Sequence, residues 1–146
     1  MNASRKNDRK HAMCVVFSHD FHAVAENIAE DDLEYFLENF AEEGVSEADF
    51  LLREIKGVQQ NLATIDRHIE ETSAAWDIAR ISKIDLAIMR IAVYEILFEA
   101  NIAPGVAINE AVELAKAFST EDAGKFVNGV LGQIVRRLND DENKSV

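Results

Sequence analysis

The chain's 146 residues are enough for one compact domain or two small packed subdomains, and apolar residues, at 48%, can supply a real hydrophobic core. One Pro and six Gly leave few breaks, which suits helices and argues against many short strands. A formal charge of −12 repels polyanions at long range, so composition taken alone weighs against nucleic acid as a ligand.

The charge is segregated along the chain. Arg5, Lys6, Arg9 and Lys10 stand against one acid, Asp8, at the N-terminus, whereas acids recur from Glu26 to Asp49 with no Lys or Arg among them. The acidic run reads as a solvated helix face. No segment reaches the roughly 18 to 20 consecutive apolar residues of a membrane span, and the basic N-terminus lacks the apolar stretch of a secretory signal. A cytoplasmic protein without membrane contact is expected. The lone Cys14 cannot form an internal disulfide, and its neighbours Met13, Val15 and Val16 point to a buried structural thiol.

In chain order, Arg9 to Ala29 contains no Gly or Pro and repeats Ala12, Val15 or Val16, His19 and Ala23 at helical spacing, which predicts one long helix. Leu33, Phe36, Leu37 and Phe40 follow Asp31-Asp32 as a second, ending near Gly44. Ser46 and Asp49 resemble a capping box ahead of Phe50, Leu51, Ile55, Val58, Leu62, Ile65 and Ile69, a third helix running to about Glu71.

After a short segment around Trp76, Ser82 can cap a helix in which Ile84, Ile88, Ile91 and Leu97 or Phe98 face inward. Its continuous apolar character predicts the central, buried helix. Pro104 stops it, and Val106, Ile108, Ala111, Val112 and Ala115 start the next. Ser119 with Asp122 resembles another capping box, opening a last helix through Phe126, Val130, Leu131, Ile134 and Leu138, with a frayed polar tail from Asn139.

No nucleophile elbow, phosphate-binding Gly loop or paired Cys motif is present, so the sequence points away from an enzyme. His19 and His22 could share a helix face, but no nearby carboxylate or Cys completes a metal set, and no cofactor is expected. Asp20, Asp85 and Glu95 lie on otherwise apolar helices and need partners to offset desolvation. Arg80 and Arg90 are candidates for ordinary structural ion pairs with them.

Three blocks carry a resemblance: Lys83-Ile-Asp-Leu-Ala-Ile-Met-Arg-Ile-Ala-Val-Tyr-Glu95, Val106-Ala-Ile-Asn-Glu-Ala-Val-Glu-Leu-Ala-Lys116 and Lys125-Phe-Val-Asn-Gly-Val-Leu131. In this order they resemble the C-terminal half of the NusB family. The likeness continues more weakly through Arg9-Lys-His-Ala-Met-Cys-Val-Val-Phe17. It implies an all-α fold of two small packed helical bundles with about seven helices, here a basic segment 1–10, bundles 11–72 and 73–138, and a polar tail 139–146. A stand-alone factor is expected rather than the fusion to an RNA cytosine methyltransferase that also occurs in the family.

The resemblance further implies transcription antitermination: a heterodimer with the ribosomal protein NusE that binds boxA RNA and joins the RNA polymerase antitermination complex, notably in ribosomal RNA operons. Arg5, Lys6, Arg9 and Lys10 take the place of the family's basic RNA-contacting segment, and Asp122 and Phe126 match its second RNA-contacting region. A cationic turn can pair with successive phosphates and release counterions. Phe126 could stack on an unpaired base, for roughly 1 to 3 kcal/mol, or pack in the core; Asp122 could accept from a base edge or merely cap a helix. For NusE, the pattern points to Phe17, where relatives usually carry Tyr, and to Asp85. The alternative reading is a protein-interaction adaptor, or a self-associating homodimer, with weak RNA binding.

Overall fold

Residues 2–21, 48–73 and 78–144 are described by the structure, a computed structural model. They form six α-helices, α1 (Asn2–Phe21), α2 (Ala48–Gln60), α3 (Leu62–Thr72), α4 (Lys83–Phe98), α5 (Pro104–Phe118) and α6 (Glu121–Lys144), with a 3-10 turn at Ile78–Arg80. About seven helices were expected. The second helix expected from Leu33 to Phe40, Ser46 of the expected capping pair, the acidic run up to residue 47, His22 and the segment around Trp76 lie outside the described residues, as do the side chains of Arg5, Lys6, His19, Asp20 and Asp49.

α4 is central because it is apolar almost all round. A helix without a polar face must be surrounded, and every residue from Asp85 to Glu95 is buried. It packs against each of the other five helices. Ser82 caps it as expected, its Oγ accepting from the Asp85 amide at 3.1 Å. Ile88, Met89 and Val93 are fully buried there and join Leu51 and Ile55 of α2, Ile65 and Ile69 of α3, and Leu131 and Ile134 of α6 in one core. Burying each such side chain contributes about 1.5–3 kcal/mol. Segments 11–72 and 73–138 therefore pool their apolar side chains in a shared core. A small second cluster, Phe50, Ile102 and Ala107, closes the end where α2 and α5 begin.

Several boundaries differ from the sequence reading. α1 starts at Asn2, so the basic residues belong to the helix itself. Ala12, Met13 and Val16 take the inward positions of α1, which leaves Cys14 exposed rather than buried. The single helix expected from Ser46 to Glu71 is two, broken at Asn61. There the Asn61 amide Nδ2 donates to the Gly57 carbonyl at 2.8 Å, sharing that acceptor with its own backbone N–H at 3.1 Å. Such local side-chain bonding competes with helix continuation.

α4 ends at Phe98, ahead of Pro104, which instead occupies the first turn of α5, where its missing N–H costs nothing. Leu97 packs against the core while Phe98 is 47% exposed. The cap of α6 is Thr120, one residue beyond Ser119: Thr120 Oγ1 accepts from the Ala123 amide at 2.9 Å. α6 continues to Lys144 and takes in most of the expected tail. No described helix is long and apolar enough to cross a membrane.

Candidate nucleic-acid interface

α1 carries Arg5 and Lys6 one turn ahead of Arg9 and Lys10. Lys10 is partly exposed, but Arg9, expected among the phosphate contacts, is only 4% exposed. Its Nε donates to Glu95 Oε2 at 2.9 Å and its Nη2 to Glu95 Oε1 at 3.0 Å, a two-pronged fork. Nη1 reaches Glu110 Oε1 at 3.5 Å, and the guanidinium lies 5.5 Å from the centroid of the Phe50 ring. Burial works against the charge, yet the Glu95 fork together with Glu54 and Glu110 outweighs it, so the guanidinium holds its proton more tightly than usual. Arg9 therefore has no face left for a phosphate; it fixes the basic turn of α1 to α4 and α5.

The same bond corrects the expected ion pairs. Glu95 takes Arg9 and not Arg80 or Arg90, while Arg90 forks onto Asp66 of α3 at 2.9 and 2.8 Å. Beside the Arg9–Glu95 pair sits Glu54 of α2, fully buried, neither of whose oxygens makes a hydrogen bond among the described residues. Burial, and then the adjacent Glu95 carboxyl, raise the Glu54 acid well above the usual carboxylate range, against a smaller opposing pull from Arg9.

At the start of α6, Asp122 and Lys125 are exposed, and Phe126 is half-buried with its ring packed against the main core. Asp122 and Glu121 lie in the first helical turn, where the helix dipole favours carboxylates. The capping oxygen belongs to Thr120, so Asp122 is not the cap and its side chain remains at the surface. Both α1 and α6 pack on α4, which is what ties these two regions into one body.

The two partner-contact candidates sit deeper than a surface contact would. Phe17 is half-buried against the core. Asp85 is 8% exposed in the first turn of α4, and its Oδ1 makes no hydrogen bond among the described residues.

Sequence reasoning missed Phe118, an exposed aromatic side chain, 44% accessible, at the end of α5. Inward-facing Ala107, Ala111 and Ala115 would place residue 118 near the buried stripe, so periodicity gave no hint of it. Arg53 was missed as well. It forks onto Glu99 at 3.0 and 3.3 Å and stacks 5.6 Å from the Phe50 ring.

Helices packed round one buried α4, with cationic and aromatic side chains at helix ends, define an all-helical binding protein. A family model described as the NusB family matches residues 6–136, and the chain belongs to the NusB family. A transcription antitermination protein NusB of Clostridium acetobutylicum is 40% identical over 90% of this chain and 95% of its own length. Its namesake from Geotalea daltonii is 37% identical over 96% and 99%.

Among solved structures, T. maritima NusB superimposes with a TM-score of 0.77 at 36% identity, covering 90% of each chain. A chain from the crystal structure of antitermination factors NusB and NusE in complex with dsRNA also gives 0.77, at 28% identity over 94% of this chain and 99% of that one.

Proposed function

We propose that this protein is a transcription antitermination factor that binds boxA RNA as a heterodimer with NusE and helps RNA polymerase resist termination, acting in the cytoplasm and without catalysing a reaction. The observation that carries this reading is the likeness, over 94% of the chain, to a chain of the NusB and NusE complex with dsRNA.

Arg5, Lys6 and Lys10 supply phosphate contacts along α1, Asp122 accepts from a base edge, and the outer side of Phe126 offers a stacking face. Arg9 acts through position, holding the basic turn on α4. Asp85 and the edge of Phe17 meet NusE, whose basic groups satisfy the Asp85 oxygen. A second reading is favoured by the charge of −12 and the exposed side chains Phe98, Val106 and Phe118: a protein-interaction adaptor, or a homodimer, with weak RNA binding.

The test is a titration of boxA RNA and a scrambled control into the protein, with and without NusE, at two salt concentrations. Selective boxA binding that NusE tightens is expected, with affinity falling steeply in salt. Lys6→Glu combined with Lys10→Glu should weaken RNA binding and leave NusE binding intact. NusE binding without RNA binding would favour the adaptor reading instead.

A further inference from the structure

α5 ends at Phe118 and α6 begins at Glu121, with Ser119 and Thr120 between them. The turn is pinned from both sides: the Ser119 amide donates to the Ala115 carbonyl at 2.8 Å, and Thr120 Oγ1 accepts from the Ala123 amide at 2.9 Å. Phe118 is thereby held at a fixed place on the surface, 44% exposed, just ahead of Asp122 in the chain. We infer that Phe118 is a second stacking platform for single-stranded RNA, holding an unpaired base while Lys116 and Lys125 meet the phosphates on either side of it. The inference rests on the RNA-binding reading above and extends that site from the start of α6 onto the end of α5.

Both lysines are free for such a role. They are exposed, and neither bonds a carboxylate among the described residues. Gly124 brings Lys116 across to the second helix. With no Cβ there, the Lys116 stem lies against the α6 backbone, its Cγ 3.0 Å and its Cε 3.4 Å from the place a Cβ would take. Lys116 thus reaches from α5 onto the start of α6, where Lys125 follows Gly124 in the chain. From residue 116 to residue 125, these two cations match the two acids Glu121 and Asp122, so the strip is neutral in a chain of charge −12. The acids also sit in the first turn of α6, where the positive end of the helix dipole offsets them.

An aromatic face beside unpaired cations matches a single strand, because every base has a π-face and every linkage a phosphate. A protein partner would ask for something else. The buried centre of a protein interface is apolar and poor in charge, whereas Phe118 is flanked by Lys116, Ala117, Ser119 and Thr120. The exposed Val106 stands at the opposite end of α5, about 18 Å away at 1.5 Å per residue, too far to share one apolar patch with the ring. The path to the assigned site is also open. Thr120, Glu121, Asp122 and Lys125 are all exposed, so a strand can pass from Asp122 to Phe118 over surface side chains.

The test uses the full chain with NusE and a short single-stranded boxA RNA carrying 4-thiouridine. Phe118→Leu should weaken RNA binding about 5- to 10-fold, the lower part of a stacking contribution, and Phe118→Trp should keep the parent affinity. Lys116→Gln should weaken binding and reduce the salt slope by about one. Photocrosslinks should fall on residues 116–118 of α5 as well as on α6. Thermal melts of the three variants should match the parent, and the Lys116→Gln salt slope gives an answer independent of the ring should Phe118→Leu lose stability.

Unchanged RNA affinity in Phe118→Leu, or a parental salt slope in Lys116→Gln, would overturn the inference; if Phe126→Ala still weakens binding, the antitermination reading stands. Phe118→Trp binding as weakly as Phe118→Leu would overturn it too, since any aromatic face should serve a base. Loss of NusE binding, or of a parent homodimer, with RNA binding intact would overturn it in favour of a protein on the ring. A parent protein with no RNA affinity would overturn both readings.

Discussion

Replacing Glu54 by Gln should make the protein more stable at neutral pH, although it removes a charged residue type from a cluster of charges. Glu54 is fully buried on α2. Facing it are Arg9 of α1, already committed to Glu95, and the two carboxyls of Glu95 on α4 and Glu99 just beyond its end. Burial and these acids together favour its neutral form.

The folded state then holds one proton that the unfolded chain gives up above the ordinary Glu range near pH 4.5. Because the native state binds the extra proton, stability falls as pH rises, by about 1.4 kcal/mol per unit, until the folded-state Glu54 itself ionises. Gln has the same shape and no proton to lose. The stability difference between variant and parent should therefore grow as pH rises from 5 to 7. Urea unfolding of both proteins at pH 5, 6 and 7 and constant ionic strength measures it. A flat difference, or a variant less stable at pH 7, would refute the reasoning and make Glu54 a second counter-ion of Arg9.

Arg9→Gln should behave in the opposite way, because it leaves Glu95, 1% exposed, without its cation; breaking a buried pair from one side costs about 3–5 kcal/mol. Below the melting temperature its RNA complex should keep the parent's salt slope, which a direct phosphate contact would not allow. Gly57→Ala should destabilise by about 1–3 kcal/mol through overpacking against Tyr94, read as a lower melting temperature. Gly129→Ala in α6, where a new Cβ meets nothing within 4 Å, should instead stabilise by about 0.5–1 kcal/mol.

Helix identity was legible wherever one segment decides it. The unbroken apolar run from Ile84 to Leu97 announces a surrounded helix, and Ser82 sits where a cap belongs. The break at Asn61 was not legible, because it depends on an amide choosing a local carbonyl over solvent, and both choices fit the same letters. Partnerships were less legible still. Glu95 was recognised as needing a cation, but Arg9 lies 86 residues away, and periodicity reports which face a residue takes without saying what arrives opposite it. That is why Arg9, a cation in the place of the family's basic segment, read as a phosphate contact. Phe118 and Phe98 were hidden for a related reason: both stand at helix ends, where the stripe that buries earlier residues has run past its neighbours.

The Arg9 fork also sets an order of events in the making of the chain. Its partners are 86 and 101 residues downstream, so at about 5–20 residues per second they leave the ribosome roughly 4 to 20 seconds after Arg9 does. Arg9, made early, is secured only once α4 and the first half of α5 have emerged. Until Glu95 and Glu110 emerge, Arg9 is a solvated cation, and a nascent chain, or one truncated ahead of Glu95, presents a looser, more basic terminus than the finished protein. Emergence of α4 and α5 thus turns Arg9 from a solvated charge into a buried tie between α1 and the core.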